Sequence, residues 1–275
     1  MDQYKPTGFK MLPDVVKNLL IINGLLFLAT IACANVFKID LADTLGLHYF
    51  EAEKFRPYQF ITYMFMHGSF MHIFFNMFAL WMFGNVLENF WGPKRFLTYY
   101  LITGIGAALT HYVVMYYQIS PIIDTLNNYI ANPDVYKFNE IGSSGLFAAS
   151  SEIMNHYTQF KTTIASMNDT QSLAASVEFI QQVKIDYLNA PNVVGASGSV
   201  FGLLLAFGMM FPNSLIYVYF AIPIKAKYFV MIYGVIELYS GISNSAGDNV
   251  AHFAHLGGML FGIFLILYWK KRRIL

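Results

Sequence analysis

Long stretches without charge, separated by short charged connections, dominate the sequence. Windows free of Asp, Glu, Lys and Arg cover residues 18–37, 57–87, 96–123, 187–224 and 249–269. Each window reaches the roughly 20 residues that a helix needs to cross a bilayer. The pattern predicts an all-α, polytopic membrane protein that is a bundle of six transmembrane helices, at about residues 18–37, 65–90, 96–118, 194–211, 228–242 and 250–269.

Residues 119–192 differ in composition from the rest of the chain. They hold seven acidic residues against three lysines, together with several Asn and Ser. This composition predicts an extramembrane insertion of short surface helices, without an apolar core of its own. We therefore expect a single membrane domain over residues 1–275 that carries the insertion at 119–192.

The basic residues predict how the chain is oriented in the membrane. If both termini are cytoplasmic, eleven of the seventeen Lys and Arg face inward, namely residues 5, 10, 17, 94, 95, 225, 227 and 270–273. The insertion then lies outside, as do the N-terminal ends of the second, fourth and sixth helices. The first helix is long enough to span, which favours an uncleaved segment over a signal peptide. Because no long transit segment precedes it, we expect a bacterial plasma (inner) membrane.

Composition excludes several other function classes. With 56% apolar and 12% charged residues and a net charge of +1, the chain has no basic stripe that would bind nucleic acid. Cys33 is the only cysteine, which excludes an internal disulfide and a thiolate metal cage. The expected partners are the lipid bilayer and other membrane proteins, and the oligomeric state stays open.

Polar residues gather at the outer ends of three predicted helices. The second helix carries His67, His72 and Asn76, the fourth carries Ser197, and the sixth carries His252 and His255. Polar side chains inside membrane spans are costly, so they are candidates for a functional site. The predicted topology places all three helix ends at one depth.

The spacing of these residues predicts their roles. His72 and Asn76 are four residues apart, so both project from one helix face and can donate to a single point. Ser197 lies in the first turns of its helix, where unpaired N–H groups favour a developing oxyanion. An imidazole of the sixth helix can serve as the general base that a serine nucleophile requires. No partner acid is evident, so packing and hydrogen bonds must orient this imidazole.

Glycines predict how the fourth and sixth helices meet. Gly258 and Gly262 form a small-xxx-small pair that allows another helix to approach closely. If that helix is the fourth, Ser197 and His255 come within hydrogen-bond reach. Phe201, one turn after the serine, is then placed to stack on the imidazole.

Three runs carry these residues, in the order His67-Gly-Ser-Phe-Met-His72-Ile-Phe-Phe-Asn76, Gly195-Ala-Ser197-Gly198 and Ala254-His255-Leu-Gly-Gly258. Together they resemble the rhomboid family of intramembrane serine proteases, and the resemblance covers all six spans. It implies that Ser197 is the nucleophile, His255 the general base, and that His72, Asn76 and the Ser197 amide are oxyanion donors. It also implies cleavage in or near the transmembrane segment of a membrane-protein substrate. Glu88 and Arg95 resemble structural polar positions of the family, and the long insertion departs from its minimal pattern.

The sequence also allows other roles for some of these residues and another function. His252 is the rival base, and His67 is expected to support its loop or the neighbouring helix. Glu237 is expected to be a protonated or hydrogen-bonded packing residue, with a part in a substrate gate as the alternative. The histidine spacing does not favour a metal site, and no cofactor is expected. A transporter is disfavoured because no internal repeat is seen, whereas a catalytically weak relative that only binds membrane proteins is the alternative function.

Overall fold

The protein is almost entirely helical. The computed structural model describes residues 10–148, 150–164, 168–218, 221–243 and 250–272. The helices are α1 Asp14–Ala32, α2 Leu41–Leu45, α3 Gln59–Thr62, α4 Phe70–Ala79, α5 Asn85–Trp91, α6 Pro93–Ala131, α7 Val135–Ser143, α8 Ser151–Ile164, α9 Asp169–Asn189, α10 Ser197–Met210, α11 Ala226–Ser243 and α12 His252–Lys271. The strands are β1 Leu47–His48, β2 Asn192–Val193, β3 Leu215–Val218 and β4 Ile222–Lys225, of which β3 and β4 pair antiparallel with Leu215 opposite Lys225.

Within the described residues, four helical segments are long and apolar enough to cross a membrane. They are Asp14–Phe37, Phe70–Trp91, Pro93–Ala131 and His252–Lys271, and two of them include π-helical turns, Cys33–Phe37 and Leu80–Gly84. The predicted all-α membrane fold is confirmed, but the count of six spans is not exact. The fourth predicted span is the apolar helix α10 of only 14 residues. At 1.5 Å per residue it is roughly 21 Å long, less than the ~30 Å of a hydrocarbon core.

Several helix boundaries differ from those predicted. The third predicted helix ends near residue 118, whereas α6 continues to Ala131 through Pro121. Residues 119–131 are therefore helical. The fourth predicted helix begins at Val194, whereas α10 begins at Ser197, because Gly195 has a φ of +129° that no right-handed helix contains. Lys5 and Arg273, two of the basic residues used for the orientation, lie outside the described residues.

The chain divides into two compact units. The first comprises residues 1–47, 57–111 and 193–275, and the second comprises residues 48–56 and 112–192. The second unit has an aromatic core formed by Phe138, Phe147, Tyr157, Phe160 and Phe179. The rings of Phe160 and Phe179 stack with centroids 4.6 Å apart, and Phe147 is only 2% exposed. The expectation that residues 119–192 lack an apolar core is therefore wrong.

Glycines set the spacing of helices in the first unit. A Cβ added at Gly258 would overlap the carbonyl oxygen of Gly198, so α12 lies directly on the backbone of α10. Gly262 instead faces the hydroxyl of Tyr99 on α6. The prediction of close approach is confirmed at Gly258, while the second glycine of the pair serves a different neighbour.

Glu88 forms hydrogen bonds that link α1 to the rest of the first unit. Its two carboxylate oxygens accept hydrogen bonds from the N–H groups of Val15 and Val16, at 3.0 and 2.8 Å. These N–H groups belong to the first turn of α1, where no helical partner exists. Glu88 is buried, and its two hydrogen bonds cap the N-terminus of α1. Arg95, by contrast, is exposed.

Candidate active site

The N-terminal ends of α10 and α12 bring Ser197 and His255 together. Ser197 is the first residue of α10, and His255 lies in the first turn of α12. The Nε2 atom of His255 is 2.8 Å from the Ser197 Oγ, a normal hydrogen-bond length. His255 is buried and Ser197 is half-buried. The contact joins residues 58 positions apart, and the approach of Gly258 to Gly198 makes it possible.

An aromatic ring holds one face of the His255 imidazole. The ring of Phe201 lies parallel to it, with centroids 4.2 Å apart and an interplanar angle of 5°. Phe201 follows Ser197 by one helical turn on α10, so a single helix presents both the hydroxyl and the supporting ring. The predicted stack is confirmed.

A carboxylate lies on the far side of the same imidazole. The Nδ1 atom of His255 is 2.8 Å from Oε2 of Glu237, which α11 carries. The Nδ1 atom of His252 is 2.7 Å from the same oxygen. The expectation that no acid accompanies the Ser–His pair is wrong. In the sequence, Glu237 stands out as a lone acid in an apolar helix, but no spacing links it to His255.

The shared oxygen determines which nitrogens carry protons. An ionised carboxylate only accepts hydrogen bonds, so each Nδ1 that faces Oε2 must donate. In His255 the proton on Nδ1 leaves Nε2 with a lone pair directed at the Ser197 hydroxyl. With Glu237 ionised and His255 neutral, these contacts would direct the free lone pair of the imidazole at the serine hydroxyl.

His72 borders the space beside Ser197, and Asn76 is hydrogen-bonded to the backbone of His72. A Cβ added at Gly195 would lie 2.7 Å from His72 Nε2 and 3.6 Å from Ser197 Oγ, so this glycine leaves open the gap between the two groups. The N–H of Gly195 donates to the Tyr63 carbonyl at 2.9 Å, which holds the loop in place. The Asn76 Nδ2 donates to the His72 carbonyl at 3.1 Å and keeps a second N–H for another acceptor.

The start of α10 adds backbone donors to this space. The first N–H groups of a helix have no carbonyl partner within it, and the helix dipole is positive at that end. Ser197 occupies the first position, so its own amide belongs to this set. These backbone N–H groups would favour negative charge next to the Ser197 hydroxyl.

The two remaining histidines of the cluster have distinct surroundings. His67 is 3% exposed and packs edge-on against His72, with ring centroids 5.0 Å apart. This contact agrees with the expectation that His67 supports its neighbours. In the hydrogen bonds described, His252 contacts Glu237, whereas His255 contacts Ser197. The rival base is therefore linked to the serine only through Glu237 and His255.

Among the described residues, one group has the donor set of a metal site. One ligand atom from each of Glu237, His252 and His255 lies within 4.8 Å of the others. Both N···O separations, 2.7 and 2.8 Å, are hydrogen-bond lengths with a proton between the atoms. A zinc ion would have to displace both protons and take over the nitrogen that orients His255. The geometry therefore fits a hydrogen-bonded cluster.

The model of the Rhomboid domain matches residues 54–154 and 170–272, well over half of the sequence. The chain belongs to the rhomboid family. The matched residues include all the side chains that converge at the site. With its apolar spanning helices, this rhomboid is a multi-pass membrane protein.

Two curated relatives align with slightly less than a third of this rhomboid's chain. A mitochondrial rhomboid protein of Schizosaccharomyces pombe, named as uncharacterized, is 30% identical over 91 residues, which are 31% of this chain and 23% of the relative. Rhomboid-like protein 11 of Arabidopsis thaliana, a chloroplastic protein, is 30% identical over 90 residues, which are 29% of this chain and 32% of the relative. The chain thus spans about a quarter to a third of the length of the curated relatives it matches. Both relatives are named for organelles, and the bacterial plasma membrane stays a prediction for this chain.

Proposed function

We propose that the protein is an intramembrane serine endopeptidase that cleaves membrane proteins in or near their transmembrane segments. The observation that carries the proposal is the hydrogen bond between His255 Nε2 and Ser197 Oγ, within a membrane-embedded member of the rhomboid family. A serine hydroxyl is a weak nucleophile unless an adjacent base accepts its proton. Here the base is in contact, and its other nitrogen is already occupied.

The proposed reaction begins when His255 Nε2 takes the proton of Ser197 Oγ. The oxygen attacks the carbonyl carbon of the scissile peptide, and the tetrahedral oxyanion is held by His72, Asn76 and the Ser197 amide. His255 then gives its proton to the departing amine, which leaves an acyl ester on Ser197. A water molecule, deprotonated by His255, hydrolyses the ester and restores the serine. No cofactor takes part in these steps.

The length of α10 supports a site below the membrane surface. A helix of 14 residues cannot reach from one face of the bilayer to the other. If its C-terminal end at Met210 lies at the inner face, Ser197 lies inside the outer half of the hydrocarbon layer. We place both termini in the cytoplasm and the site open to the outer side, as the distribution of basic residues predicts.

The function is tested with detergent-purified protein and a model substrate that contains one transmembrane segment. Wild type is compared with Ser197→Ala and His255→Ala, and mass spectrometry locates both the cut and the adduct of a fluorophosphonate probe. We expect cleavage by wild type alone and an adduct on Ser197. Cleavage that survives Ser197→Ala would contradict the mechanism. A folded wild type that neither cleaves nor forms an adduct would favour a relative that only binds membrane proteins.

A further inference from the structure

The carboxylate of Glu237 contacts two histidines of α12 with one oxygen. Oε2 accepts from Nδ1 of His252 at 2.7 Å and from Nδ1 of His255 at 2.8 Å. The Glu237 side chain is 9% exposed, and those of His252 and His255 are 13% and 10% exposed. A buried carboxylate is costly unless hydrogen bonds compensate for its lost hydration. The two imidazole N–H groups supply this compensation.

We propose that Glu237 is a positioning residue that, together with His252, orients the His255 base of the protease and stabilises its protonated form. The inference rests on the proposed function and extends the Ser–His pair to a chain of four groups, Ser197, His255, Glu237 and His252. The carboxylate holds His255 in the tautomer whose Nε2 faces the serine. It also stabilises the positive imidazolium that forms when the serine proton is transferred.

His252 has a separate part in this arrangement. Its N–H bond to Oε2 anchors the same atom that receives the bond from His255, so the carboxylate cannot turn away without breaking both contacts. His252 and His255 lie three residues apart on α12 and present their Nδ1 atoms to one point on α11. A carboxylate oxygen can accept two hydrogen bonds, and both donors to this oxygen come from α12. One of the two donors is His255, whose Nε2 contacts the candidate nucleophile, Ser197.

The main test compares Glu237→Gln with Glu237→Asp. Glutamine has the shape of glutamate without its charge, whereas aspartate keeps the charge and shortens the reach. If Glu237 only fills space, Glu237→Gln behaves like wild type. If it orients His255 and stabilises the imidazolium, we expect kcat of Glu237→Gln to fall roughly 100-fold or more, with KM changed less than about threefold. Glu237→Asp should recover part of the lost kcat.

Glu88 offers a matched control, because it is also a buried glutamate that accepts two N–H bonds. Glu88→Gln should lower thermal stability in detergent and leave the kcat of the folded protein unchanged. Size-exclusion chromatography and thermal unfolding establish that each variant is folded before its kinetics are compared. A folded Glu237→Gln with kcat within about threefold of wild type would overturn the inference while wild-type cleavage and the Ser197 adduct keep the proposed function intact.

A spectroscopic measurement reports the tautomer directly. In protein labelled with ¹⁵N-histidine, the resonances of His255 are assigned by their loss in His255→Ala. We expect wild type to carry the proton on Nδ1, and Glu237→Ala to show a larger share of the Nε2-protonated form. The groups that face His255 are Ser197, Glu237 and His252, with His72 and His111 also near enough for electrostatic interaction. An unchanged tautomer in folded Glu237→Ala would overturn the positioning role.

Discussion

The rings of His255 and Phe201 lie face to face, with centroids 4.2 Å apart and planes inclined by 5°. The stack restrains the imidazole in a direction that its two hydrogen bonds do not. Those bonds fix the ring within its plane, toward Ser197 on one side and Glu237 on the other. Three neighbours on two helices thus define the orientation of one base.

Phe201→Ala should therefore reduce catalysis without abolishing it. An aromatic pair contributes about 0.5–1.5 kcal/mol beyond its buried area, which corresponds to a roughly two- to tenfold loss in kcat if this energy is realised only in the transition state. Phe201→Tyr keeps the ring and serves as the control. Cleavage rates at saturating substrate are the measurement, and a normal rate in Phe201→Ala would contradict the role of the stack.

Gly258→Ala should separate α10 from α12. The new methyl group would overlap the carbonyl oxygen of Gly198, and backbone atoms cannot move aside as a flexible side chain can. We expect a loss of about 1–3 kcal/mol in stability and a stronger loss of fluorophosphonate labelling, because the contact between Ser197 and His255 depends on this approach.

Gly24→Ala provides the matched control for that experiment. Gly24 lies within α1, and nothing within 4 Å would meet its Cβ. Alanine favours a helix by up to about 1 kcal/mol over glycine, so this variant should be as stable as wild type or more stable. Equal labelling of both variants would show that the close helix contact is not needed for the site.

Gly195→Ala should block the space where the oxyanion is expected. Its Cβ would lie 2.7 Å from His72 Nε2, and the φ of +129° is unfavourable for alanine. Gly92→Ala is the control for strain, since Gly92 also has a positive φ, +79°, and nothing lies within 4 Å of its Cβ. Both variants should lose roughly 1–3 kcal/mol in stability, whereas only Gly195→Ala should lose cleavage.

His72→Ala and Asn76→Ala should act on the transition state more than on substrate binding. Loss of one oxyanion donor typically lowers kcat by about 10²–10³-fold, with KM little changed. Met71→Ala, an exposed neighbour on α4, is the control. A variant of either residue that raises KM alone would assign that residue to substrate binding.

The sequence by itself determined the membrane character, the helices and most of the residues that meet at the site. These features depend on local patterns, namely uncharged windows of spanning length and polar residues at helix ends. The glycines predicted that α10 and α12 approach closely, because the lack of a side chain is visible in the sequence. The exact number of spans was not predictable in this way, because the apolar run that predicts the fourth span forms a helix of only 14 residues, which begins after Gly195.

Only the tertiary structure decided what surrounds the Ser–His pair. Glu237 lies 18 residues before His255 on a different helix, so no periodicity relates the two, and their contact depends on how α11 and α12 are rotated. The aromatic core of the second unit was also decided by the tertiary structure. Phe138, Phe160 and Phe179 come from three different helices and meet only when these fold together. Local patterns define which surfaces are apolar, whereas side-chain partners distant in sequence are set by packing.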